Sequence, residues 1–118
     1  MARIMVVDDL PLMRMRIRES LLEEGHEVVE ATEGSDAMDQ YRRRRPDAVF
    51  MDIRMPDMNG VDALKGIREI DPTARVTLLT GDAQRAVVEA AKDAGAVDFI
   101  LKPFTHQRLI DAANRMLA

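Results

Sequence analysis

Cysteine is absent from this sequence of 118 residues, and aromatic side chains make up only 3% of it. Without thiols the chain has neither disulfide bonds nor thiolate metal sites, which fits a reducing compartment. No apolar run approaches the roughly 20 residues that a membrane-spanning helix needs. The short apolar run at residues 4–7 leads straight into two acids, unlike a signal peptide. We therefore expect a cytoplasmic protein with no membrane segment.

An excess of positive charge is also absent, since the net charge is −4 at pH 7. The overall balance therefore does not indicate a nucleic-acid-binding surface. The apolar fraction of 47% is ordinary for a globular chain. The length predicts one domain over residues 1–118 with a modest buried core.

Hydrophobic patterning divides the chain into alternating strands and helices. Short apolar runs predict five strands, at residues 3–7, 26–31, 48–52, 75–80 and 97–101. Apolar residues at helical spacing predict five helices, at residues 10–24, 34–45, 61–70, from 81–82 to the cap at Gly95, and around 109–117. Short connections and right-handed crossovers make this an α/β fold, a doubly wound parallel sheet with helices on both faces.

Polar side chains stand where these strands end. They are Asp8 and Asp9 after the first strand, Asp52 at the third, Thr80 at the fourth and Lys102 after the fifth. Parallel strands share one carboxyl edge, where open α/β sheets bind their ligands. Each residue alone has an ordinary structural interpretation, as a helix cap, a strand residue or a solvated cation. Five of them at one edge favour a functional site.

Three carboxylates at one edge repel each other strongly. A hard divalent cation relieves that repulsion, and Mg²⁺ suits best because it takes carboxylate oxygens, keeps several waters and accepts phosphate as a ligand. Mn²⁺ is an alternative with similar ligand preferences. With metal bound, Asp52 is a candidate nucleophile toward phosphorus, forming an aspartyl phosphate. Lys102 and the Thr80 hydroxyl would take up charge on the phosphoryl oxygens.

At these residues the chain resembles a response-regulator receiver domain, the phosphoacceptor module of bacterial two-component signalling. The motifs cover the chain from end to end in the family's order and spacing. They are Val6-Val7-Asp8-Asp9, Met51-Asp52-Ile53-Arg54-Met55-Pro56, Asn59-Gly60, Leu79-Thr80-Gly81 and Lys102-Pro103-Phe104. The resemblance implies a flavodoxin-like fold with five parallel strands in the order 2-1-3-4-5 and five helices.

The resemblance also assigns roles at the strand ends. Asp52 matches the phosphoacceptor, and Asp9 matches the direct Mg²⁺ ligand, with Asp8 acting partly through water. The backbone carbonyl of Arg54 would complete the protein ligands. Lys102 matches the phosphoryl-binding lysine, and its bond to Pro103 matches the family's cis peptide.

A switch is implied as well. Thr80 matches the switch hydroxyl and Phe99 the switch aromatic, although Phe99 is equally well explained as a core residue. Phosphorylation would reshape the surface formed by the fourth helix, the fifth strand and the fifth helix. The phosphodonor would be a sensor histidine kinase or a histidine phosphotransfer protein, and the output would be a downstream protein bound to that surface. Such a domain is a signalling module rather than an enzyme, although it assists its own phosphotransfer and dephosphorylation.

Two departures from the family pattern stand out. Gly81 replaces a more common alanine, which predicts a looser loop after Thr80. Arg54 and Asp82 each stand two residues past a site residue. We hypothesise that these two pair across the phosphoryl site and hinder the attacking water, so that they modulate the lifetime of the phosphorylated state.

Several functions remain open. The leading one is a chemotaxis-type, single-domain receiver, either a monomer or a dimer that forms on phosphorylation. The second is the excised receiver of a longer DNA-binding regulator, although Arg108 stands where the winged-helix branch has an acid. A haloacid-dehalogenase-type phosphatase needs a second Asp two residues after its nucleophile, and neither Leu10 nor Arg54 supplies it. A flavodoxin-type flavin site would need a hydroxyl- and Gly-rich loop after the first strand, where Asp8 and Asp9 stand.

Overall fold

The computed structural model describes residues 1–82 and 84–118. Ten elements alternate along the chain: β1 (Arg3–Val7), α1 (Pro11–Glu23), β2 (Glu27–Ala31), α2 (Gly34–Arg44), β3 (Ala48–Asp52), α3 (Gly60–Ile70), β4 (Val76–Thr80), α4 (Arg85–Asp93), β5 (Asp98–Leu101) and α5 (His106–Leu117). Every neighbouring pair of strands is parallel. The order β2-β1-β3-β4-β5 confirms the predicted flavodoxin-like sheet.

Alternation along the strands sends side chains into two separate cores. On one face, Met5, Val49 and Leu78 pack with residues of α2, α3 and α4. On the other face, Ile4 and Phe50 pack with residues of α1 and α5. The five residues of the central strand β3 are all buried, as expected for a strand covered by helices on both sides.

The predicted boundaries hold for β1 and β3, while β2, β4 and β5 each begin one residue later than predicted. The prediction for the fourth helix was wrong at its start, because α4 begins at Arg85 rather than at residues 81–82. The Asp82 N–H donates to Thr80 Oγ1 at 3.1 Å, and the Gln84 N–H donates to Asp82 Oδ1 at 3.1 Å. These side-chain acceptors favour local turns over a helix. Ala83, which the predicted helix included, lies outside the described residues.

No helix in the described part of the chain is long and apolar enough to cross a membrane. The bond between Lys102 and Pro103 is cis, as the family resemblance implies.

Thr77 of β4 is the weak point of the core. Its side chain is fully buried. Within the described residues its hydroxyl has no hydrogen-bond partner. A buried polar group without a partner costs about 1–3 kcal/mol. The fold is therefore less stable than its packing allows.

We predict that Thr77→Val raises the free energy of unfolding by about 1 kcal/mol, because valine has the same shape without the unpaired hydroxyl. Urea unfolding monitored by circular dichroism checks this. The control is Thr73→Val, which removes a hydroxyl that donates to Asp71 Oδ1 at 2.6 Å and should not stabilise the fold. A Thr77→Val protein no more stable than wild type would contradict the prediction.

Candidate functional site

The ends of three strands bring the predicted acids and the predicted lysine together. Asp8 directly follows β1, Asp52 ends β3 and Lys102 directly follows β5. Lys102 Nζ lies 3.0 Å from Asp52 Oδ1 and 3.3 Å from Asp8 Oδ2. Oxygens of Asp8, Asp9 and Asp52 all lie within 4.8 Å of one another. The carboxyl edge of the sheet thus holds three carboxylates against one ammonium.

The three acids lie at different depths. Asp8 is 0% exposed and Asp52 5% exposed, whereas Asp9 is half-buried. One Asp8 oxygen accepts from the Leu10 N–H at 2.9 Å while the other meets Lys102. Asp8 therefore lies beneath the site with both oxygens engaged, and Asp9 and Asp52 reach its open surface.

The surroundings of Asp52 disfavour its ionised form. Burial raises the pKa of Asp52, the hydrogen bond and charge of Lys102 partly offset this, and the carboxylates of Asp8 and Asp9 raise the pKa further. The result is a pKa above the usual value. A carboxylate in this state gains stability from any additional cation nearby.

Above the acids lies an open cavity of about 360 Å³. Six predicted site residues line it, at the ends of four strands or in the loops that follow: Asp9, Asp52, Arg54, Thr80, Asp82 and Lys102. Leu10 and Gly81 complete the wall. The volume is ample for a phosphoryl group and its bound waters. The hypothesised pair of Arg54 and Asp82 does line this cavity from two sides. In the part of the chain that the structure describes, however, no ion pair joins them, and Asp82 instead accepts from the Gln84 N–H.

The two predicted switch residues share one face of the sheet. Thr80 lies on the same side of β4 as Leu78, and Leu78 pairs in register with Phe99 of β5. Phe99 is half-buried and packs against the core beneath α2, α3 and α4. The structure therefore places Phe99 at the margin of the core and in the neighbouring strand to Thr80.

The loop between β3 and α3 is held close to Asp52 by a backbone hydrogen bond and by the close approach of a glycine. The Gly60 N–H donates to the carbonyl of Ile53 at 2.7 Å. A Cβ on Gly60 would overlap the backbone carbonyl oxygen of Asp52, so glycine is required here for close approach. Asn59 caps α3 by accepting from the Asp62 N–H at 2.9 Å.

Asp57 in the same loop was missed by sequence reasoning. Its two carboxylate oxygens accept the N–H groups of Gly34 and Ser35 at 2.9 Å each, and one of them also accepts the N–H of Met58. The residue before α2, Glu33, makes no side-chain cap. Asp57 thus caps α2 from a distant loop and ties that loop to the helix. No local spacing reveals a cap whose helix begins 23 residues earlier.

The donor set fits Mg²⁺. Three oxygens from aspartates lie within 4.8 Å of one another, which suits a hard cation that takes one or two carboxylates and keeps several waters. Burial raises the pKa of Asp52, and the carboxylates of Asp8 and Asp9 raise it further, so a cation bound here would favour the charged form of Asp52. Asp9 and Asp52 both line the cavity and are therefore the candidate ligands of the ion.

The fold and this site define the class of the protein. The sequence model of the response regulator receiver domain matches residues 4–114. The chain therefore belongs to the response-regulator receiver family, the CheY-type signalling domains of two-component systems. The resemblance seen in its motifs is confirmed.

Proteins similar to this chain include two chemotaxis proteins and one transcriptional regulator. The chain is 46% identical to the chemotaxis protein CheY of Bacillus subtilis, over 98% of this chain and 97% of that protein. It is 40% identical to the transcriptional regulatory protein PdtaR of Mycobacterium tuberculosis, over 93% of this chain and 54% of that protein. It is also similar to the solved structure of the chemotaxis protein CheY4 of Vibrio cholerae, with a TM-score of 0.94 and 28% identity over 99% of both chains.

We predict that Asp57→Ala lowers the free energy of unfolding by about 1 kcal/mol at pH 7, since it removes the cap of α2. The Ser35 and other N–H groups lower the pKa of Asp57 to about 2. Because the folded pKa lies below the unfolded value, this contribution is complete above about pH 4 and is lost as the pH falls toward 2. The stability difference between wild type and Asp57→Ala should therefore shrink from pH 7 to pH 3.

Urea unfolding at the two pH values measures this difference. The matched control is Asp39→Ala on the exposed side of α2, where the aspartate pairs with Arg42 in the same helix. Its effect on stability should be small at both pH values. An Asp57→Ala protein as stable as wild type at pH 7 would show that the cap contributes nothing.

Proposed function

We propose that this receiver accepts a phosphoryl group on Asp52 from a histidine kinase or a histidine phosphotransfer protein, with Mg²⁺ bound. The observation that carries this proposal is the nearly buried Asp52 carboxylate, 3.0 Å from Lys102 Nζ, at the floor of an acidic cavity. The output is a change in the surface formed by α4, β5 and α5, read by a partner protein in the cytoplasm.

The proposed chemical step transfers a phosphoryl group from a phosphohistidine of the partner to Asp52. An Asp52 oxygen attacks the phosphorus of a phosphohistidine, a P–O bond forms, the P–N bond breaks and the imidazole nitrogen leaves with its electron pair. Bound Mg²⁺ supplies positive charge to the phosphoryl oxygens and the carboxylates. Asp9 and Asp52 would hold the ion together with the backbone carbonyl of Arg54, and Asp8 would act from beneath, partly through water.

Lys102 has two tasks in this scheme. Before transfer its ammonium offsets the charges of Asp52 and Asp8, which it contacts at 3.0 and 3.3 Å. After transfer the same ammonium binds a phosphoryl oxygen, since a cation so placed stabilises charge where it develops. Thr80 lies in the cavity wall, and its hydroxyl donates to another phosphoryl oxygen.

The response then spreads through the sheet. Before phosphorylation, Thr80 Oγ1 accepts a hydrogen bond from the Asp82 N–H at 3.1 Å. Movement of Thr80 toward a phosphoryl group opens that contact and frees space beside Phe99 on the same face of the sheet. Phe99 turns inward, and the surface of α4, β5 and α5 changes shape. This is a local charge change that biases a surface with two arrangements.

A transcriptional output is the second candidate. The similarity to PdtaR covers only about half of that protein's length, 54%, so receivers of this type also occur in longer regulators. The length of the native gene decides between this and the single-domain form.

We predict that acetyl phosphate adds one phosphoryl group to the wild-type protein only when Mg²⁺ is present, and none to Asp52→Asn. The reason is that Asp52 is the nucleophile and needs the cation to accept a dianionic group. Intact-protein mass spectrometry measures the adduct. The matched control is Asp39→Asn, an exposed acid on α2, which should be phosphorylated like wild type. An adduct that survives Asp52→Asn would refute the assignment.

We further predict that Arg54→Ala and Asp82→Ala each shorten the lifetime of the phosphorylated state several-fold. Both side chains line the cavity, where they restrict access of water to the phosphorus. The decay of the phosphoryl adduct, followed by mass after removal of acetyl phosphate, gives the lifetime. Glu89→Ala on the exposed side of α4 is the control. Lifetimes equal to that of wild type would remove both residues from the mechanism.

A further inference from the structure

The turn that contains Asp8 and Asp9 accepts a hydrogen bond from Arg14, which is not among the proposed site residues. Arg14 lies in the first turns of α1, and its Nη1 donates to the backbone carbonyl of Asp8 at 2.8 Å. Its Nε donates to Glu30 of β2 at 3.1 Å. The Arg14 side chain is only 18% exposed. A single guanidinium therefore links α1, the end of β1 and the neighbouring strand.

The carbonyl of Asp8 is a sensitive place for such a contact. It belongs to the peptide unit that joins Asp8 to Asp9, and the atoms of a peptide unit, including the next Cα, lie in one plane. A hydrogen bond that fixes this oxygen also fixes the Cα from which the Asp9 side chain leaves. In the described part of the chain the Asp9 carboxylate has no side-chain or backbone donor of its own. Its position therefore depends on the backbone.

We propose that Arg14 is a positioning residue for the metal-binding turn, and that its bonds to the Asp8 carbonyl and to Glu30 set the affinity of the site for Mg²⁺. This inference rests on the proposed function, because it presumes that Asp9 binds Mg²⁺. Arg14 acts through the backbone and does not line the cavity.

A second effect of Arg14 has the opposite sign, which makes the inference testable. The positive charge of Arg14 lies against the turn that contains Asp8 and Asp9 and repels Mg²⁺, so loss of that charge alone would tighten binding. Loss of the two hydrogen bonds would loosen the turn and weaken binding. Groups that orient metal ligands typically change metal affinity about 10–100-fold when they are removed. If Arg14 positions the turn, the geometric effect exceeds the electrostatic one.

Arg18 provides a matched control. It is the same residue type one turn further along α1, and its Nε lies 3.9 Å from the same Glu30. The Asp8 carbonyl receives its hydrogen bond from Arg14 rather than from Arg18. Arg18→Ala therefore removes an equal charge near the same partner and leaves the metal-binding turn alone.

The experiment titrates Mg²⁺ into wild type, Arg14→Ala, Arg14→Lys and Arg18→Ala by isothermal calorimetry at fixed ionic strength. We expect Arg14→Ala to weaken Mg²⁺ binding about tenfold, and Arg18→Ala to change the dissociation constant less than about twofold, as expected for a screened surface charge. Arg14→Lys keeps the charge, but an ammonium lacks the planar fork that reaches two acceptors in fixed directions. It should therefore show most of the loss.

Urea unfolding in EDTA, measured on the same four proteins, separates positioning from general stability. If Arg14 only stabilised the fold, Arg14→Ala would unfold at lower urea while its folded form bound Mg²⁺ like wild type, and that result overturns the inference. Binding as tight as wild type or tighter in Arg14→Ala also overturns it. If wild type itself bound no Mg²⁺, the proposed function would fail together with the inference. If wild type bound Mg²⁺ and Arg14→Ala bound it equally, the inference alone would fail.

Discussion

The mutual repulsion of three carboxylates at one edge of the sheet is the constraint on which the rest of this structure depends. Their oxygens lie within 4.8 Å of one another, and the ammonium of Lys102 contacts two of them, Asp8 and Asp52. The fold tolerates this because each acid is attached to a strand end or to the turn that follows it, and the strands are locked in a parallel sheet. The sheet therefore holds three carboxylates in an unfavourable arrangement that a bound metal ion would relieve.

The proposed response would have a short path from Asp52 to the surface of the protein. Thr80 ends the strand between Asp52 and β5, and its side chain lies on the same face of the sheet as Phe99. The backbone of β5 at this point is restrained, because Arg108 of α5 donates to the Phe99 carbonyl and to both oxygens of Asp98 at 3.0–3.1 Å. The Phe99 side chain, by contrast, is half-buried at the margin of the core. For the proposed switch, a fixed strand backbone and a Phe99 side chain at the margin of the core favour a change in side-chain packing over a displacement of the whole strand.

Much of the fold and the placement of most candidate site residues could be predicted from the sequence, for reasons that apply to particular residues. Apolar runs locate β1 and β3 to the residue, and parallel topology then requires Asp8, Asp52 and Lys102 to meet at one edge. Local side-chain competition was harder to foresee, so the start of α4 was placed too early. The contacts of Asp57 and Arg14 were not foreseeable either. Each joins residues whose proximity follows from packing, and neither has a characteristic spacing along the chain.

Two loops next to the site are each held by one charged side chain, an aspartate for the loop after β3 and an arginine for the turn after β1. The charge suits the surroundings in each case. The loop after β3 is tied by the carboxylate of Asp57 to the N-terminus of α2, where unpaired N–H groups and the helix dipole favour an anion. The turn after β1 carries two acids of the site, and a third carboxylate as its anchor would add to their repulsion. Arg14 reaches the backbone carbonyl of that turn instead and contributes a positive charge. Its pairing with Glu30 offsets part of that charge, so the turn is held in place while the attraction of the site for a cation is largely retained.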